Sequence, residues 1–274
     1  MAHHDPASEP GGRLANEPVS EPAHGGGRLT AQHWPAISVV DIEGNGRNPP
    51  EIVEVAVLDF PSGLTHAQHR WSTLVRPGAG IPAFATTVHN LTDGDVSLSP
   101  TWAQVSGQFV QRTSGRWICG HHVATERSVL THHLTPHLTR HLGLALKDRA
   151  HRRGDREEEQ QGQQDQQAQQ HEQAQQHQQR GEHWRPLGYL DTLKLARHLL
   201  PQAPAHGLHR LLELTGVPLS ADWGRAHRAT CDAVATALLA QHLITAFGLD
   251  WSTFHALCAL SDKTADSPRG ERLF

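Results

Sequence analysis

The chain has 274 residues, of which 37% are hydrophobic, and a formal charge of −4. It is long enough for one large domain or two small ones, and its modest apolar share implies that part of the length does not pack. No stretch is long and apolar enough to cross a membrane, and MAHHDPASEPGG lacks the basic start and apolar core of a secretory signal. Three scattered cysteines, Cys119, Cys231 and Cys258, argue against a disulfide framework and fit a cytoplasmic protein. A slightly acidic balance neither marks nor excludes a nucleic-acid binder, because enzymes acting on phosphates carry acidic sites beside local basic patches.

Taken in chain order, residues 1–33 are polar and rich in glycine and proline, and read as a flexible arm. AISVVDI, from Ala36 to Ile42, is a compact apolar run with β-branched residues and reads as a buried strand. GNGRNPP must turn. EIVEVAVLDF gives a second strand, PSGL a turn and HRWSTLVRP a third strand, completing a meander. TWAQVSGQFVQRTSG has Trp102, Val105 and Phe109 at helical spacing. RWICGHH reads as a fourth strand and TERSVLTHHL as the start of a helix. Arg152 to Arg180 is almost purely polar and dominated by glutamine. It has nothing to bury and cannot offset the entropy of ordering, so 151–182 is expected to be a disordered insertion. YLDTLKLARHLL and GLHRLLELTGV are amphipathic segments, and AHRATCDAVATALLAQHLITAF is a long closing helix. The expected architecture is one α/β domain over 34–247, a mixed central sheet flanked by helices, followed by a C-terminal extension over 248–274.

Three places carry chemistry. Asp41 and Glu43 end the first strand; residues two apart on a strand share a face, so both carboxylates project together beside Gly44 and Gly46. Paired like charges are unfavourable unless a cation compensates them, and hard divalent cations favour such oxygens. The alternative is two solvated acids at a strand end. CGHHVATERSVL places His121 and His122 at a strand end and Glu126 at a helix start, where an acid is favoured by the helix dipole in any case. His227 and Asp232 are five apart, too far round for one helix face. They converge only with His227 on the loop before the helix and Asp232 in its first turns; the alternative is a surface histidine beside a helix-start acid. Glu54 is open between a buried hydrogen-bonded acid and an edge residue, and carries no catalytic role. Asp191 reads as a helix-start or loop residue. Arg225 and Arg228 are open between phosphate contact and solvated surface. The histidines are dispersed, no Cys/His spacing of the zinc-finger type is present, and the tryptophans read as core or rim.

In this order, VVDIEGNG, EIVEVAVL, TTVHNLTDGDVSLSPTWAQV, CGHHVATERSVL, YLDTLKLARHLLP, GLHRLLELTGVP and RAHRATCDAVATALL resemble the DEDDh 3′–5′ exonucleases, the DnaQ-like family of the proofreading exonuclease subunit. The resemblance spans nearly the whole expected domain. It implies an RNase H-like fold and two Mg²⁺ or Mn²⁺ ions held by Asp41, Glu43 and Asp232, with Glu126 where the family usually has Asp. It implies His227 as general base, release of nucleoside 5′-monophosphates, and substrate contacts at Gly44, Asn45, Gly46, His89, Asn90 and His121. The partners implied are DNA or RNA 3′ ends and replication or repair proteins. DNA is the preferred substrate; the alternatives are an exoribonuclease, or a nucleic-acid-binding module weakened at Glu126. Gly44 and Asn45 also depart from the family's usual residues after the acidic pair.

Overall fold

The structure is a computed structural model that describes residues 34–134 and 184–260. The expected arm, the glutamine-rich insertion and the last fourteen residues lie outside the described residues.

Five strands form one sheet: β1 (Ile37–Gly44), β2 (Ile52–Phe60), β3 (His69–Leu74), β4 (Trp117–Gly120) and β5 (Gly188–Asp191). Their order across the sheet is β3-β2-β1-β4-β5. The meander β1 to β3 is antiparallel, and β4 and β5 add in parallel beside β1. This is the mixed sheet expected from three hairpin-linked strands followed by crossovers through helices.

Both faces of the sheet are covered, which is why β2 reads as an almost unbroken apolar run. On one face Ile37 and Val39 of β1 and Ala56, Leu58 and Phe60 of β2 meet the closing helices. These are α5 (Thr192–Leu199), α6 (Leu208–Thr215), α7 (Ala229–Ala246) and α8 (Trp251–Cys258). On the other face Val40, Val55 and Val57 meet α3 (Trp102–Thr113) and α4, which covers 124–134. Two short helices, α1 (Ala83–His89) and α2 (Asp93–Val96), close the end of the sheet near Val53. The α7 sequence is apolar nearly all round, as a helix enclosed by sheet and helices must be, and its alanines let it lie close to β1 and β2.

Three elements differ from the sequence expectation. The start of YLDTLKLARHLL is strand β5, not helix, because Gly188 to Asp191 pairs with β4 along its whole length. Asp191 then caps α5 by accepting from the N–H groups of Leu193 and Lys194 at 2.9 and 3.4 Å. The stretch TTVH is helical rather than a turn. The domain also continues past 247: Phe254 and Cys258 of α8 are fully buried in the main core, and Ala259 bridges Leu190 of β5. The sequence expectation set that segment apart as an extension because a helix of about two turns beyond a glycine carries no pattern that distinguishes docking from extension.

Candidate active site

Parallel β4 pairs with β1 at Ile37, Ser38 and Val39 only, so β1 runs on past this neighbour. Asp41 and Glu43 stand on that overhanging end, at the carboxyl edge of the sheet, which is where open α/β sheets take ligands. The turn after β4 leads into α4 and puts Glu126 in its first turn. Asp232 lies in the first turn of α7, and His227 lies on the loop before it. The His227 backbone N–H donates to both Asp232 carboxylate oxygens at 3.3 and 3.2 Å, which holds the loop over the helix start. His227 takes a left-handed φ of 59°, uncommon for a residue with a Cβ, and its ring is exposed.

One carboxylate oxygen each from Asp41, Glu43 and Asp232 lies within 4.8 Å of the others. Glu126 stands next to this group, buried, with its Oε2 lacking a hydrogen-bond partner. The electrostatics follow from crowding. Asp41 is raised well above the carboxylate range by burial, then by Glu126, Glu43, Asp232 and Glu54. Glu43 is pushed up to about 8 by burial, then by Asp232 and Glu54, with Arg228 opposing. Glu126 is also pushed up to about 8, by burial and by Asp191 and Glu43, against its own backbone hydrogen bond. A divalent cation reverses every one of these shifts, so the residues present fit a bound metal: hard oxygen donors, surplus negative charge and an orphaned buried oxygen.

The residues expected to touch substrate divide differently. Gly44 and Gly46 are backbone of the crevice rim; Gly46 has a φ of 68°, and the Phe84 ring occupies the space a Cβ would need. Asn45 is not a substrate contact. Its side chain is fully buried, accepting from the Glu51 N–H at 2.9 Å and the Arg47 N–H at 3.2 Å, so it ties the loop together. His121 is likewise committed to structure. Its Nδ1 lies 3.0 Å from Thr192 Oγ1 and its Nε2 donates to the His206 carbonyl at 2.9 Å, which leaves no ring nitrogen for a nucleotide. His89 is buried beneath the rim, its Nδ1 accepting from the Leu91 N–H at 3.0 Å. Burial lowers its pKa, and the Gly44 backbone beside it opposes the shift. Asn90 is the left-handed C-cap of α1, with φ 60°.

Two features escaped the sequence reading. His209, on α6, donates from Nε2 to Asp232 Oδ1 at 2.6 Å, and that hydrogen bond raises its pKa despite burial. Its ring centre lies 6.5 Å from that of His227. Beside it the Cys231 sulfur lies within 4.8 Å of a His209 nitrogen and an Asp232 oxygen, and burial, then Asp232 and Asp41, push the thiol up to about 11. Arg228 is not a free phosphate ligand. It is bound two-pronged to Glu54, Nε to Oε2 at 2.8 Å and Nη2 to Oε1 at 2.9 Å, while the Ala229 N–H donates to the same Oε2 at 3.0 Å. Glu54 is therefore the buried, hydrogen-bonded acid of the two readings, and it clamps the His227 loop to β2.

The fold is similar to that of solved exonucleases. Exonuclease X, solved with 5′-overhanging duplex DNA, matches with a TM-score of 0.54 at 19% identity, over 81% of this chain and 98% of that one. Escherichia coli exonuclease I, solved with a dT13 oligonucleotide, matches with a TM-score of 0.53 at 14% identity, over 77% of this chain and 41% of that one. In sequence, the chain is 35% identical over 86 residues to a DNA polymerase III subunit epsilon-like protein of Rhodobacter capsulatus, covering 30% of this chain and 12% of the relative. It is 36% identical over 69 residues to the uncharacterized exonuclease CP81 of Escherichia phage 186, covering 25% of this chain and 33% of that protein. The chain thus spans a third or less of the curated relatives it matches. No family model matches it.

Proposed function

We propose that the chain is a metal-dependent 3′–5′ exonuclease that releases nucleoside 5′-monophosphates from DNA ends. The observation that carries this reading is the convergence of Asp41, Glu43 and Asp232 within 4.8 Å beside buried Glu126. Mg²⁺ or Mn²⁺ held by these carboxylates would supply the positive charge that activates water and stabilises the departing 3′-oxygen. His227 stands on an exposed loop at the same carboxylate and takes the proton of the attacking water, the role of a positioned general base. Asp232 anchors that loop through the His227 N–H, and Glu54 anchors it through Arg228. The loop that carries Gly44 and Gly46 follows the acidic pair directly, which places its backbone to meet the terminal nucleotide. DNA is preferred because the similar proteins named above include a DNA polymerase III epsilon-like protein and exonucleases solved with DNA. The first of these also makes replication or repair proteins the expected partners.

The test is release of nucleoside 5′-monophosphate from a 3′-labelled single-stranded DNA oligonucleotide, with Mg²⁺, with Mn²⁺ and with chelator, beside Asp41→Ala protein. Stepwise shortening that needs metal and Asp41 is the expected result. Shortening of an RNA oligonucleotide of the same sequence alone would move the substrate to RNA. No release from either would leave a nucleic-acid-binding module with a site disabled at Glu126.

A further inference from the structure

We propose that His209, Cys231 and Asp232 form a second metal site, suited to Zn²⁺ rather than Mg²⁺, which takes Asp232 away from the carboxylate group when it fills. One nitrogen, one sulfur and one oxygen from these three residues lie within 4.8 Å of one another. The donor set is what distinguishes this site from its neighbour. Asp41, Glu43 and Asp232 offer only hard oxygens, whereas an imidazole, a thiolate and a carboxylate are the mixture that zinc and cobalt select and magnesium refuses.

The architecture supports it. Cys231 and Asp232 are consecutive in the first turn of α7, and His209 reaches them from α6, which packs against α7 in the main core. Donors around one tetrahedral zinc stand roughly 3.3–3.7 Å apart, so the widest separation has to close by at most about 1 Å. The narrowest, the 2.6 Å hydrogen bond from His209 to Asp232, has to open by a similar amount. Rotations about the His209 and Cys231 side chains supply both. The His209 side chain is 31% exposed and gives an ion access from solvent, while Cys231 is buried and forms the inner wall. Zinc binds the thiolate, so the thiol proton passes to solvent as the sulfur–metal bond forms. The Cys231 thiol has no disulfide to lose by this.

The consequence for the proposed hydrolysis follows from the shared residue. Asp232 belongs to both groups. An ion drawn to His209 and Cys231 holds Asp232 on the α6 side and leaves Asp41 and Glu43 short of their third carboxylate. Zn²⁺ at low concentration is then an inhibitor of a reaction that Mg²⁺ supports.

Simple metal-binding isotherms would not isolate this site, because the chain has 23 histidines. A thiolate ligand is specific: Co²⁺ bound through sulfur gives a near-ultraviolet charge-transfer band that nitrogen and oxygen sites lack. Co²⁺ is titrated into the full chain and into Asp41→Ala, Cys231→Ser and His209→Ala proteins, with folding checked by circular dichroism. The expected result is one such band per chain in the wild type and in Asp41→Ala, absent from Cys231→Ser, with affinity lowered at least about tenfold in His209→Ala. Displacement of the band by Zn²⁺ but not by millimolar Mg²⁺ completes the assignment. No charge-transfer band, a band that survives Cys231→Ser, or a band lost in Asp41→Ala overturns it. The spectrum does not depend on hydrolysis: a band in a chain that releases no nucleotide keeps this site and refutes the exonuclease reading instead. If hydrolysis is present, Cys231→Ser is expected to keep its Mg²⁺-supported rate and to lose at least about tenfold of its sensitivity to Zn²⁺.

Discussion

Removing Arg228 is expected to destabilise the chain more than removing its partner Glu54. The two are joined by two hydrogen bonds of 2.8 and 2.9 Å, and Glu54 accepts a third from the Ala229 N–H at 3.0 Å. Their exposures are unequal: the Arg228 side chain is 32% exposed and the Glu54 side chain 8%. In Arg228→Met the carboxylate stays buried with one N–H and without its counter-charge, which costs on the order of 3 kcal/mol. For a domain of this size that lowers Tm by roughly 10 °C. In Glu54→Met the guanidinium turns out to solvent, and only the hydrogen bonds are lost, about 1–2 kcal/mol. The double variant replaces the pair with apolar groups of similar length and leaves no buried charge, so it is expected to be more stable than Arg228→Met alone, with a coupling of at least about 1.5 kcal/mol. Urea unfolding of the four proteins at pH 7 with chelator measures all three quantities. Equal losses in the two single variants, or a double variant whose loss is the sum of the singles, would refute the clamp as drawn.

The remaining predictions concern the crevice. Glu43 and Glu126 both have folded pKa values of about 8, above the ordinary glutamate value of 4.5, and Asp41 is raised too. Such groups stabilise the fold below their unfolded pKa and lose that contribution as pH rises through the folded one. In chelator the melting temperature should therefore fall steadily from about pH 4.5 to about pH 8. Saturating Mn²⁺ should flatten the profile; an unchanged slope would argue against metal among these carboxylates. Glu126→Ala should lose hydrolysis as fully as Asp41→Ala, and a rate within about tenfold of wild type would put Glu126 outside the metal's reach. Gly46→Ala places a side chain on a left-handed φ of 68° against the Phe84 ring. It should cost on the order of 1–3 kcal/mol by thermal unfolding, and an unperturbed melt would mean the rim is looser than described.

What could be read in advance, and what could not, follows from how far each residue's partner lies along the chain. Asp41 and Glu43 were legible because strand periodicity is local: two residues apart means one face, whatever the rest of the fold does. The helix after AHRAT was legible for the same reason, and with it the position of Asp232 in a first turn. Polar residues whose partners are distant were not. Asn45, in a glycine loop after an acidic strand, looks like a substrate contact until Glu51 folds back to receive it. Glu54 looks idle until Arg228 arrives from 174 residues away. Strand β5 has four residues, too few for alternation to distinguish it from the start of the helix it leads into. The histidines sharpen the point. His227 stands out because its spacing to Asp232 suits a loop entering a helix. His209 sits on the polar side of an amphipathic helix, where sequence cannot separate a solvated residue from one packed against a neighbour. Both end at the same carboxylate, one through its backbone and one through its ring. The chemistry of the crevice is therefore set by which polar faces the closing helices turn toward the β1 edge, and helical packing decides that, not the spacing of residues within any one helix.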